Sequence, residues 1–213
     1  MSMRLSLEPR YLLTAYTAGL FPMADDAGVL HWLAPDPRAI LDFDHFRISR
    51  SLRSLVQRER FRVTVDRVFH DVIAACGDRG EGTWISPAVR RAYERLHGLG
   101  FAHSVETWDG EELAGGLYGV AIGGAFFGES MFHRKTDASK VALVFLVRRL
   151  REQGFALLDV QFQTSHLKQF GVTEISRDEY LERLGQAVAL DRKFVHDDPQ
   201  SPPHPDPAEQ PST

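Results

Sequence analysis

The stretch Glu112–Phe132, ELAGGLYGVAIGGAFFGESMF, constrains the chain most. Two apolar runs, Glu112–Ile122 and Ala125–Phe132, flank Gly123-Gly124, the spacing of an antiparallel strand pair closed by a two-residue turn. His103–Trp108 reads as a strand before them, so a meander is expected. The glycines at 115, 116, 119, 123, 124 and 128 fit neither the dinucleotide fingerprint nor the Walker loop, and no Lys-Ser/Thr follows the last of them. Within strands, glycines mark bulges or the close approach of another backbone, and they leave room along a sheet for a ligand. Glu129 interrupts this apolar segment. A carboxylate there needs a basic partner or a ligand to serve, and the sequence leaves both open.

The remaining elements follow from periodicity and caps. Helices are expected over Pro9–Ala18, Val68–Cys76, Ser86–Leu99, Ser139–Gln153, Ser165–Phe170 and Arg177–Ala189. Ser86-Pro87 supplies an N-cap and first-turn proline, and Gly154 a C-terminal stop. Further strands are expected at Ala39–Phe43, Phe61–Val65, Phe155–Val160 and Val172–Ile175. This order predicts an α+β fold with helices covering a central mixed sheet. Pro35 and Pro37 make the string HWLAPDPR, residues 31–38, a rigid extended or turn segment.

Charge narrows the function. With 25 Lys+Arg against 29 Asp+Glu, the formal net charge is −4, a poor match for coating nucleic acid by bulk charge. Residues 191–213 hold five acids and two bases, a net −3, so the preceding 190 residues carry only −1. That terminal stretch, Pro-rich from Asp197, is expected to be a disordered acidic tail. Bases concentrate instead at 47–67, where Arg47, Arg50, Arg53, Arg58, Arg60, Arg62 and Arg67 face only Glu59 and Asp66. A solvated helix face and a local nucleic-acid patch are both compatible with that stretch. No apolar run reaches membrane-spanning length, residues 1–5 lack a signal-peptide core, and the lone Cys76 fits a reducing, cytoplasmic setting.

Asp159 and Gln161 alternate with Leu158, Val160 and Phe162, which puts both on one face of a strand about 7 Å apart. An acceptor and an amide so placed suit a hydrogen-bond relay or a purely structural pair. His166, just beyond, reads as a cap or packing residue. Trp84, before a helix N-terminus, and Trp108, at a strand end, suit core packing or base stacking. His97 and His103 have no zinc spacing with any other ligand, and no metal site is expected.

Taken together, the ordered strings FPM, HWLAPDPR, GTWISPAVRRAYERLHGLGFAHSVE, LAGGLYGVA, FFGESMF, ASK, LLDVQ and HL resemble the leucyl/phenylalanyl-tRNA–protein transferase family from about Tyr11 to Tyr180. The resemblance implies a small N-terminal domain (1–60) and a catalytic domain (61–190) like the GCN5-related acetyltransferase fold, working without acetyl-CoA or other cofactor. It implies transfer of Leu, Phe or Met from aminoacyl-tRNA to a protein's N-terminal Arg or Lys, marking it for degradation by the N-end rule pathway. Neither DNA nor a membrane is an implied partner. By the same resemblance, Asp159 and Gln161 are catalytic, with Asp159 polarising the Gln161 amide or the pair orienting the amine. Glu129 holds the donor's α-ammonium, and Trp84 stacks near the terminal adenosine. Leu117, Phe126, Met131, Leu143, Leu146 and Leu158 form the side-chain pocket. Arg50 and Arg58 meet the tRNA. Some members carry Trp where this chain has Met23, and Leu33-Ala34-Pro35 replaces Trp-Ser-Pro. An acyl-CoA-dependent N-acyltransferase and a non-catalytic tRNA-binding module are the competing readings. The first lacks its pyrophosphate loop here, and the second has no use for Glu129, Asp159 and Gln161 together.

Overall fold

A computed structural model of the chain describes residues 7–25, 28–78 and 83–195. In chain order the elements are α1 (Pro9–Thr17), β1 (Phe21–Ala24), β2 (Leu30–Leu33), β3 (Arg38–Leu41), α2 (Arg50–Gln57), β4 (Arg62–Val65), α3 (Phe69–Gly77) and α4 (Pro87–Gly98). They continue with β5 (Ala102–Asp109), β6 (Glu112–Ile122), β7 (Ala125–His133), α5 (Ala138–Glu152), β8 (Leu157–Gln161), α6 (Ser165–Lys168), β9 (Val172–Ile175) and α7 (Arg177–Val188). β1 and β2 form a separate antiparallel ribbon. The other strands make one sheet in the order β4-β5-β6-β7-β8-β3-β9, parallel only between β7 and β8. The α+β class, with a largely antiparallel mixed sheet flanked by helices, agrees with the sequence.

The sheet separates two apolar cores. α1, α3, α4 and α7 pack on one face, and α2 and α5 on the other. Ser86 caps α4 by accepting from the Val89 N–H, as the Ser-Pro signal predicts. The meander β5-β6-β7 turns at Gly123-Gly124, where Gly123 takes a positive φ of 55° and the Gly124 N–H donates to the Ala187 carbonyl in the last turn of α7.

Gly119 shows what the strand glycines do. A Cβ there would overlap the Phe127 carbonyl oxygen and the Phe126 ring, which fills the space left free. Gly119→Ala is therefore expected to cost about 3 kcal/mol in urea unfolding, the upper range for overpacking. Wild-type stability in that variant would contradict the contact.

Three features differ from the sequence reading. The segment around Phe21–Leu33, where no strand is expected from the sequence, contains the β1-β2 ribbon, because its pairing joins two runs too short to show a period. Strand β3, drawn within the N-terminal segment, is inserted between β8 and β9 of the large sheet. Asp191–Val195, counted with the tail, is not all peripheral. Phe194 is buried against Phe126, Phe155 and His103, so its apolar ring outweighs the polarity of its neighbours. The tail proper, residues 196–213, lies outside the described residues.

Candidate active site

The site forms where β7 and β8 part. Their parallel pairing runs from Ala125↔Leu157 to Phe127↔Asp159 and stops there, although β7 continues to His133. Both strands are irregular at this point. Against β6, the register passes from Gly119↔Gly128 to Tyr118↔Ser130, which leaves Glu129 as an extra residue. Against β3, it passes from Ile40↔Asp159 to Ala39↔Gln161, which leaves Val160 extra and puts Gln161 at φ 60°. Bulges bend strands and re-aim side chains, and here they turn Glu129 and Gln161 toward each other. The Gln161 Nε2 donates to Glu129 Oε1 at 3.5 Å.

The gap between the strands is a cavity of about 530 Å³. Leu117 from β6, Met131 from β7, Leu143 and Leu146 from α5, and Leu158 from β8 line its apolar part. Glu129 and Gln161 stand on its polar side, and Met23, Trp84 and Phe162 also line it. A more open groove elsewhere, bordered by Asp71, Asp78, Glu111, Trp108 and Arg134, contains none of the residues nominated for catalysis or substrate binding.

Glu129 is partnered by phenols rather than by a base. The Tyr16 hydroxyl donates to Oε1 at 2.7 Å and the Tyr93 hydroxyl to Oε2 at 3.0 Å, and the two phenolic oxygens also touch each other. Tyr16 and Tyr93 are fully buried, on α1 and α4. Burial pushes the Glu129 carboxyl up to about 7, with Asp159 adding to the rise, while the two phenols and Arg38 work against it.

Asp159 is fully buried and does not line the cavity. Arg38 meets it with a bidentate pair, Nε to Oδ1 at 3.0 Å and Nη2 to Oδ2 at 2.6 Å. Tyr180 donates its hydroxyl at 2.8 Å, and the Gln161 backbone N–H donates to Oδ1 at 2.9 Å. The guanidinium lies between the Phe21 and Tyr180 rings and also donates to the Gly19 carbonyl. Asp159 thus holds the backbone of Gln161, whereas the Gln161 side chain bonds to Glu129.

The cavity brings together Glu129, Gln161, Trp84, Leu117, Met131, Leu143, Leu146 and Leu158. Phe126 is not among the lining residues. Its ring is turned under Gly119 and against Phe194. Arg50 and Arg58 lie on α2 and at its C-terminal cap, exposed and away from the cavity walls. His166 packs edge-on to Phe170 and lines the cavity, and burial, with Lys140 and His133 nearby, lowers its pKa. His97 stacks on Phe69, and His103 bonds to Asp66. Among the described residues no group of three His, Cys, Asp or Glu is arranged to hold a metal. Tyr16, Tyr93, Arg38 and Tyr180 were not nominated from sequence. The available signal was a tyrosine on the buried face of a helix, since a buried hydroxyl needs a partner.

The α+β fold thus holds a cavity that is apolar on one side and carries a carboxylate, Glu129, on the other. A family model described as "Leucyl/phenylalanyl-tRNA protein transferase" matches residues 40–185, and its N-terminal domain model matches residues 6–36. A leucyl/phenylalanyl-tRNA–protein transferase of Salinibacter ruber is 55% identical over 183 residues, covering 85% of this chain and 80% of the relative. One from Gloeobacter violaceus is 52% identical over 193 residues, covering 90% of this chain and 100% of the relative. Among solved structures, L-PGS from Bacillus licheniformis is similar at a TM-score of 0.41 and 18% identity, over 76% of this chain and 55% of that one. The chain belongs to the leucyl/phenylalanyl-tRNA–protein transferase family, a family of aminoacyltransferases.

Proposed function

We propose that the chain transfers Leu, Phe or Met from aminoacyl-tRNA to the N-terminal Arg or Lys of a protein, in the cytoplasm, as a step toward N-end rule degradation. The observation that carries this reading is the cavity, with five aliphatic or thioether side chains on one side and Glu129 with Gln161 on the other. The donor's side chain enters the apolar part, and Glu129 receives its α-ammonium. A flexible Met131 suits several large apolar side chains. Selection among them is relaxed, because one methylene is worth only about 1–3 kcal/mol in such a pocket. Trp84 at the rim offers a face to the terminal adenosine.

The acceptor amine attacks the ester carbonyl beside Gln161. An α-amino group has a pKa of about 7.7–8.0, so a useful fraction is already neutral and positioning supplies much of the rate. Gln161 orients that amine, and Asp159 fixes Gln161. Crossing Leu-, Phe- and Met-tRNA with peptides that begin in Arg, Lys, Asp and Glu tests the reading. Transfer to Arg and Lys alone supports it, and no transfer from any of the three donors overturns it.

The tRNA itself is assigned to the exposed Arg47, Arg50, Arg53 and Arg58. Four phosphate contacts correspond to a loss of about a hundredfold in affinity between roughly 50 and 200 mM salt. Arg50→Ala or Arg58→Ala is expected to reduce the slope by about one contact. A salt response unchanged in both variants would move the tRNA elsewhere.

A further inference from the structure

Tyr16, Tyr93 and Glu129 form a closed ring with three edges. One edge joins each phenol to a carboxylate oxygen, and the third joins the two phenolic oxygens. Each phenol brings a single hydrogen. With Glu129 ionised, both hydrogens point to the carboxylate and the edge between the phenols has none. One added proton completes the ring. The carboxyl then donates to one phenol, that phenol to the other, and the second phenol to the remaining carboxylate oxygen. The groups facing this ring are Gln161 and Asp159 from β8, Arg38 from β3, and the two tyrosines from α1 and α4. Arg38 and Asp159 are already paired with each other, and an amide is a poor base. Within this cluster Glu129 is the proton-accepting group on the cavity wall, next to Gln161, while the imidazoles of His133 and His166 line the same cavity and are not part of the ring.

We infer that Glu129, closed into a ring with Tyr16 and Tyr93, is the catalytic proton acceptor of the transfer, with Gln161 as the group that orients the amine. The inference rests on the transferase reading above. As the C–N bond forms, the attacking nitrogen gives its proton to the Glu129 carboxylate and the ring closes. As the ester C–O bond breaks, the ring returns that proton to the departing ribose oxygen, and the carboxylate is regenerated. No oxidant or cofactor enters the balance. Burial raises the carboxyl's pKa and strengthens it as a proton acceptor, and the donor's α-ammonium beside it offsets part of that rise.

Both Tyr16 and Tyr93 hold the Glu129 pKa down by donating to its ionised form, so removing either donor raises it. The rising limb of the pH–rate profile should lie at higher pH in Tyr93→Phe than in the wild type. The test is transfer from saturating Phe-tRNA to an Arg-starting peptide, with kcat measured from pH 5.5 to 9. Glu129→Gln is nearly isosteric and removes the charge without leaving a buried one behind. It should lower kcat by about 10²–10⁴-fold, the usual scale for losing a general base. A kcat within tenfold of wild type in Glu129→Gln overturns the inference, whatever happens to KM, and so does an unshifted limb in Tyr93→Phe. Absence of transfer by the wild type at every pH instead removes the reaction on which the inference stands.

Discussion

Arg38→Met is expected to lower stability by about 3–5 kcal/mol, because it leaves the Asp159 carboxylate buried and stripped of its counter-ion. The carboxylate would keep only the Tyr180 hydroxyl and the Gln161 N–H, in a site with no solvent access. The substitution also removes a cation held between two aromatic rings and the donor to the Gly19 carbonyl. In a chain of this size the loss corresponds to a fall in Tm of roughly 10 °C. Arg38→Lys keeps the charge but not the planar fork, so an intermediate loss is expected. Urea unfolding of both variants measures the effect. An Arg38→Met variant as stable as wild type would mean that Asp159 does not depend on this pair.

Gln161 separates backbone from side chain. It occupies φ 60°, a region that glycine adopts freely and β-branched residues avoid. Gln161→Gly is expected to fold with near wild-type stability and to lose about a hundredfold in transfer rate, the scale on which misplacement of a reacting group is felt. Gln161→Val should lose both, since it is strained at that φ as well as lacking the amide. Equal transfer rates for wild type and Gln161→Gly would restrict the residue to a backbone role. Instability of the Gly variant would show that the side chain, not the bulge, holds the strand end.

Much of the fold was legible because it is written locally. The Gly123-Gly124 turn, the Ser86-Pro87 start and the period of α5 each signal an element within its own window. The cavity was legible chiefly through resemblance, which gathered eight of its lining residues from β6, β7, α5, β8 and the segment before α4. The groups that hold the site together are remote in sequence. Arg38 and Asp159 are 121 residues apart, and Tyr16 and Glu129 are 113 apart, so no local pattern links them. The bulges were equally hidden. An extra Glu129 or Val160 changes which way a strand's side chains face without changing its composition. Phe126 shows the same limit. It is the register partner of Leu158, which lines the cavity, yet its own ring fills the space above Gly119.

That the donor residue lies between β7 and β8, apolar side chain toward α5 and α-ammonium at Glu129, is the claim on which the mechanism depends. The most direct measurement is a crystal structure with a non-hydrolysable 3′-phenylalanylamido adenosine. The predicted result is a phenyl ring among Leu117, Met131, Leu143, Leu146 and Leu158, an α-nitrogen within hydrogen-bond distance of Glu129, and the carbonyl carbon facing Gln161. An α-nitrogen directed away from Glu129, or a ring bound outside these five side chains, would contradict it.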